Sequence, residues 1–251
     1  MTIAIIGGSG LSQLPELAIK EEIIIDTPWG KPSAPMIIGR LIRKNQPNKT
    51  DIVFLPRHGN SHTIPPHKIN YRANILALKK VGVKKIISIN AVGGITKLMQ
   101  PNNIVVPDQI IDYTHNRGNT FYEDEQEEVR HIDFTTPYSE TLRSQLIEAA
   151  RIIKLEIHKK GVYGVTQGPR LETSAEILKL EKDGCNIVGM TGMPEASLAK
   201  ELSIDYACYC LVVNWAAGKD MSIITMDLIK ENLEKGLKNI KDLVFQIVNS
   251  S

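Results

Sequence analysis

Apolar, β-rich runs recur along the chain at TIAII, MIIGRLI, DIVFLP, KKIISINAVGG, NIVVPDQ, GVYGVTQG, CNIVGM and DYACYCLVVN. Several are nearly continuous rather than alternating, as expected of strands covered on both faces. Between them, apolar residues return at helical spacing. NYRANILALKKVG closes on Gly82, suited to the position just past a helix end. SETLRSQLIEAARIIKL follows Pro137 and offers Ser139 as an N-cap. ETSAEILKLEKDG also ends on glycine, and MPEASLAKEL has Pro194 near its first turn. The last and longest stretch, TMDLIKENLEKGLKNIKDLVFQIV, carries one apolar and one polar face. Strands alternating with helices predict an α/β fold with a mainly parallel sheet covered on both faces. No linker or repeat divides residues 1–251, so a single domain is expected. The one charge block, EDEQEEVR at 123–130, reads as a solvated loop.

Composition changes this picture little. The 251 residues are 42% hydrophobic and 23% charged, enough apolar material for a sizeable core. A net charge of +2 gives no reason to expect nucleic acid or an anionic membrane as partner. No window approaches the ~18 apolar residues of a membrane span. The N-terminal IAIIGG reads as a first strand rather than a signal peptide. Cys185, Cys208 and Cys210 form neither a disulfide framework nor a zinc spacing, which suits packing in a reducing cytoplasm.

Polar residues collect where the strands end. The first strand empties into Gly7-Gly8-Ser9-Gly10, which lacks the third glycine of a dinucleotide fingerprint and the Gly-Lys-Ser/Thr of a Walker A loop. Two readings stay open for it: a tight turn, or an anion nest of N–H groups with the Ser9 hydroxyl. Arg57 and His58 close DIVFLP, where ligands of open α/β sheets gather, and both can act as donors to phosphate. His58 and His62 form an H-x-x-x-H pair, but Gly59, Pro65 and Pro66 oppose a helix and no carboxylate completes a metal-ligand set. Glu172 precedes a helix, where a capping role is the plain alternative to function. Met190 and Thr191 end CNIVGM with its following residue, and Asn214 ends the most apolar strand, where its amide needs a partner or a ligand. Five polar strand ends could surround one pocket.

The segments IIGGSGL, PRHG, NAVGGI, QGPRLET, VGMTGMPE and VVNWAAG, in this order and spacing, resemble the trimeric nucleoside phosphorylases. The branch is the one holding methylthioadenosine and 6-oxopurine nucleoside phosphorylases, and the resemblance covers nearly the whole chain. It implies a central mixed, partly barrel-like sheet with helices on both faces. It also implies phosphorolysis: inorganic phosphate attacks C1′ of a purine nucleoside, with no metal or organic cofactor. By resemblance, phosphate meets Ser9, Arg57, His58, Thr191 and the Asn90-Ala91 junction, where the family's threonine is here Asn90. Met190 lies under the ribose and His62 beside it. A fixed set of donors lowers the entropic cost of bringing phosphate to the sugar. An asparagine amide at the base stabilises the charge that develops there.

The base and the 5′ group are read from single positions. Glu172 matches the glutamate that 6-oxopurine enzymes set against the base, where it accepts the N1–H of hypoxanthine or guanine. Asn214 and Ala216 stand where the adenosine enzymes carry aspartates, and an amide can donate to N7 or O6. KDMSIITMDLIKENL contains no histidine for a 5′-hydroxyl, while Met226 and Ile229 offer apolar side chains that suit a methylthio group or simply pack a helix. His131, in HIDF, resembles a histidine that reaches a neighbouring subunit's site, implying a homotrimer. The expected reaction is phosphorolysis of S-methyl-5′-thioinosine to hypoxanthine and 5-methylthioribose 1-phosphate. The alternatives are an inosine/guanosine phosphorylase, then methylthioadenosine cleavage, then a purine-binding protein without turnover.

Overall fold

The structure, a computed structural model, describes residues 2–8, 16–43, 46–47, 50–123, 129–221 and 224–250. In chain order its elements are β1 (Thr2–Gly7), β2 (Leu17–Ile23), β3 (Met36–Arg43), β4 (Gln46–Pro47), β5 (Ile52–Pro56), α1 (Tyr71–Lys80), β6 (Val83–Gly94), β7 (Ile104–Val105) and β8 (Gln109–Asp112). They continue as α2 (Glu140–Ile152), β9 (Val162–Val165), α3 (Ser174–Lys182), β10 (Ile187–Gly189), α4 (Gly192–Glu201), β11 (Asp205–Trp215) and α5 (Met226–Asn249).

The strands form one mixed sheet in the order β2-β3-β5-β1-β6-β10-β9-β8, with β11 branching from β6 and carrying β7, and β4 paired to β3. β11 shows why its sequence is apolar throughout. Tyr206, Cys208, Cys210 and Val212 pack on one face with α1 and α4, while Ala207, Tyr209, Leu211 and Val213 pack on the other with α2 and α5. Helices therefore cover both faces, as the continuous runs predict. The three cysteines are buried and free. Among the described residues no helix is long and apolar enough to cross a membrane.

The sheet is less parallel than the alternation of elements predicts. Between β1 and β5 the described chain runs through three strands, β2, β3 and the two-residue β4, and β2–β3 and β3–β5 pair antiparallel. β2 escapes sequence reading because its middle is exposed and polar (LAIKEEI). The run NIVVPDQ is two short strands, β7 and β8, parted around Pro107, consistent with the ladder donor that proline lacks. Of the charge block, residues 124–128 lie outside those described.

The helix boundaries follow the caps. Ser139 accepts from the Leu142 N–H, Thr173 and Glu176 form a capping box, and Gly82 and Gly184 take the left-handed conformation after α1 and α3.

The feature that creates a site is a fork on β6. β11 follows one edge of β6 from Lys85 to Gly94. On the other edge β1 pairs as far as Ser88, and β10 joins only at Gly93 and Gly94. Among the described strands, the edge at residues 89–92 has no neighbour, and the ends of β1, β5 and β10 open beside it.

Candidate active site

One cavity of about 540 Å³ lies at this fork, a volume suited to a small-molecule ligand. Arg57, His58, His62, Ala91, Glu172, Met190, Thr191, Asn214, Ala216, Met226 and Ile229 all line it, so residues up to about 170 apart in sequence meet at one place.

Arg57 is 1% exposed, and its backbone N–H donates to the Gly7 carbonyl, tying the ends of β5 and β1 together. Its Nη1 donates to the Ile89 carbonyl at 3.2 Å, filling the bare edge of β6. The paired Nε and Nη2 donors, expected from sequence to serve phosphate, are turned to Glu195, which is fully buried at the start of α4. Ser88 accepts from Nη2 and donates to Glu195, and Tyr206 also donates to that carboxylate. The Glu195 charge keeps Arg57 protonated against the opposing effect of its burial. Gly8 owes its identity to the same crowding, since a Cβ there would lie 2.5 Å from the Ile89 carbonyl oxygen and 2.9 Å from Arg57 Nη1.

His58 Nδ1 lies 2.8 Å from the Ile64 carbonyl, which can only accept. The proton is therefore on Nδ1, and Nε2 carries a lone pair. Burial, then the Arg57 charge, push the imidazole down to about 4, so it is neutral near pH 7. It is thus an acceptor at Nε2 rather than the second donor expected from sequence. The His62 ring lies 4.5 Å from that of His58, centroid to centroid, with the residue in the left-handed region at φ 52°. Burial and Arg57 lower His62 as well. The two ring planes are inclined at 44° to each other.

Thr191 heads α4 but does not cap it. Its hydroxyl donates to Asn90 Oδ1 at 3.0 Å. Asn90 is 2% exposed and is not among the cavity-lining residues, in contrast to the expectation that it touches phosphate. Asn90 is turned to protein partners instead: its Oδ1 accepts from the Thr191 hydroxyl and lies within reach of Ser88 Oγ, while its neighbours Ala91 and Val92 line the cavity.

Asn214 reaches the cavity through a bulge. β11 pairs Val212 with Val92 but Asn214 with Gly93, so one extra residue shifts the register and turns Asn214 to the face it would otherwise leave. Its Nδ2 donates one hydrogen to the Trp215 carbonyl at 2.6 Å. Glu172 is not a cap, because Thr173 and Glu176 already cap α3. Instead it accepts from the Thr166 hydroxyl at 2.5 Å. Beyond Met226 and Ile229, Leu233 and Leu237 extend the apolar wall along α5.

His131 is exposed and does not line this cavity. Ser9 lies outside the described residues. Sequence reasoning missed Glu195, Thr166 and Arg117. Glu195 stands in the apolar frame MPEASLA, and a carboxylate on an apolar helix face was its only signal. Arg117 donates to the carbonyls of Thr166, Gln167, Met190 and Met193, stapling the loops after β9 and β10. Nothing in HNRGNT marks it.

Residues 2–249 match the family described as the phosphorylase superfamily. A "Probable S-methyl-5′-thioinosine phosphorylase" of Pseudomonas syringae pv. tomato is 49% identical over the full length of both chains. A "6-oxopurine nucleoside phosphorylase" of Pyrococcus furiosus is 42% identical, covering 98% of this chain and 91% of its own. Among solved structures, a methylthioadenosine phosphorylase from Schistosoma mansoni in complex with adenine superposes with a TM-score of 0.92 at 31% identity, covering 98% of this chain and 90% of its own. A match over almost every residue, together with a cavity assembled from the ends of five strands, makes this chain a member of the phosphorylase superfamily.

Proposed function

We propose that the chain cleaves S-methyl-5′-thioinosine with inorganic phosphate, releasing hypoxanthine and 5-methylthioribose 1-phosphate. The observation that carries this reading is that one cavity gathers all the chemistry the reaction needs. The one cavity is lined by three kinds of group: Arg57, His58, Ala91 and Thr191, then the polar pair Glu172 and Asn214, and the apolar Met226, Ile229, Leu233 and Leu237. The names of relatives at 42–49% identity point to the same two substrate classes, methylthioinosine and 6-oxopurine nucleosides.

In the mechanism we assign, phosphate lies at the β6 fork against Arg57, Thr191, the Ala91 amide and the glycine loop with Ser9. His58, neutral with a lone pair on Nε2, accepts a hydrogen bond from the protonated oxygen of the phosphate and so helps turn an anionic oxygen towards C1′. The phosphate oxygen forms a bond to C1′ as the C1′–N9 bond breaks, and that electron pair leaves on the purine. Asn214 gives its second N–H to the base, where negative charge develops, a contribution that for a single placed donor reaches about 3 kcal/mol. Glu172 accepts the N1–H, and the released base takes a proton from solvent. Met190 and His62 lie against the sugar, and Ala216 leaves room beside the base. No cofactor beyond the co-substrate phosphate enters this scheme. We further assign a homotrimer in which His131 completes a neighbouring subunit's site.

The test incubates purified protein with methylthioinosine, inosine and methylthioadenosine in parallel, with and without phosphate, and follows the free base by chromatography. Hypoxanthine released fastest from methylthioinosine, and only with phosphate, is the expected result. Adenine released fastest from methylthioadenosine overturns the base assignment. Equal rates on inosine and methylthioinosine would favour the simpler 6-oxopurine nucleoside phosphorylase.

A further inference from the structure

Glu172 stands between two open spaces. One is the main cavity. The other, of about 380 Å³, is lined by Tyr113, Thr166, Gln167, Lys179 and again Glu172. A glutamate with room on both sides has several rotamers available and loses them only where something holds it. Its helix does not do so, because the capping box is filled by Thr173 and Glu176. The hydrogen bond that Glu172 does make is to Thr166 Oγ1, at 2.5 Å. That length falls in the range of hydroxyls donating to carboxylates.

Thr166 is itself immobilised. Its N–H donates to the Gly189 carbonyl at 2.8 Å, and its own carbonyl and that of Gln167 accept from Arg117 Nη2 at 3.3 and 2.8 Å. The hydroxyl has one hydrogen, which goes to Glu172 Oε1; the Gly189 carbonyl is more distant, at 3.3 Å. We infer that Thr166 is a specificity-determining positioning residue: its hydroxyl holds Glu172 as a fixed hydrogen-bond acceptor facing the base, and so selects purines that carry a proton on N1 over those with a bare N1.

This rests on the proposed 6-oxopurine chemistry. A base with an N1–H gains from an acceptor already in place, whereas adenine presents a lone pair there and gains nothing. Loss of the Thr166 hydroxyl therefore acts on one class of substrate. The pair of variants is Thr166→Val, which keeps the β-branched shape a strand end favours, and Thr166→Ser, which keeps the hydroxyl.

The measurement is kcat/KM for methylthioinosine and for methylthioadenosine in the wild type and both variants, alongside thermal unfolding. We expect T166V to lower kcat/KM for methylthioinosine roughly tenfold, to leave methylthioadenosine within about twofold, and to unfold near the wild-type temperature. T166S restores the selectivity ratio. An equal fall on both substrates would mean that Thr166 only supports the fold, and an unchanged ratio would mean that Glu172 needs no tether. Either overturns the inference while leaving the proposed reaction standing. A wild type that prefers methylthioadenosine overturns both.

Discussion

At the scale of single residues, the site is built from charges that are already spoken for. Arg57 enters the core as half of an ion pair with Glu195, and the pair survives burial because Ser88, Tyr206 and the Ile89 carbonyl supply the remaining hydrogen bonds. A phosphate bound there, as proposed, would meet a rigid guanidinium rather than a mobile one, which is how preorganised groups avoid reorganisation at the moment of reaction. His58 is held in the neutral form by the same surroundings. Its folded-state pKa of about 4 lies below the ordinary 6.5, so the unfolded chain binds more protons between these values. Stability is therefore complete above pH 6.5 and declines as pH falls towards 4, by about 3 kcal/mol from this residue. Because His62 is lowered too and adds in the same direction, the diagnostic quantity is a difference. Denaturant midpoints measured from pH 4 to 7 should fall less steeply in His58→Gln than in the wild type, and equal slopes would refute the assignment.

At the scale of elements, caps and periodicity account for where the helices lie, but two local departures from regularity make the site. The bulge in β11 turns Asn214 into the cavity, and no composition cue in CLVVNW marks it. The other is Gly236 in the middle of α5. A Cβ at this position would lie 2.2 Å from Leu211 Cδ2 and 3.0 Å from Cγ, so the glycine lets the helix settle onto β11. Leu211 is fully buried and has no room to yield. Gly236→Ala gains about 1 kcal/mol in helix propensity, but overpacking typically costs about 1–3 kcal/mol. We expect a net loss of stability and a lower melting temperature. Since α5 also carries Met226, Ile229 and Leu233 in the cavity wall, KM for a 5′-methylthio substrate should rise more than that for inosine. A more stable variant with unchanged KM would show that the close approach is unimportant.

For the whole molecule, part of the cavity wall lies at the surface of the chain. Leu171 and Met226 line the cavity and are 44% and 63% exposed, while His131 lies elsewhere on the surface of the same chain. If three chains assemble as proposed, His131→Ala should lower kcat/KM without changing the sedimentation of the trimer, and a monomeric wild type at assay concentration would end that reading. The α/β class, the strands with two apolar faces, the ends of most helices and the residue types that gather at strand ends can all be read along the chain. These are local properties, expressed in periodicity, capping chemistry and the side chains within a few positions of one another. That β1 and β10 leave a gap on β6, that Arg57 faces Glu195, that Asn90 holds Thr191, and that Glu172 answers to Thr166 rather than to its own helix emerges once the chain is folded. Each of those depends on register and on partners from distant segments, which no single stretch of the chain encodes.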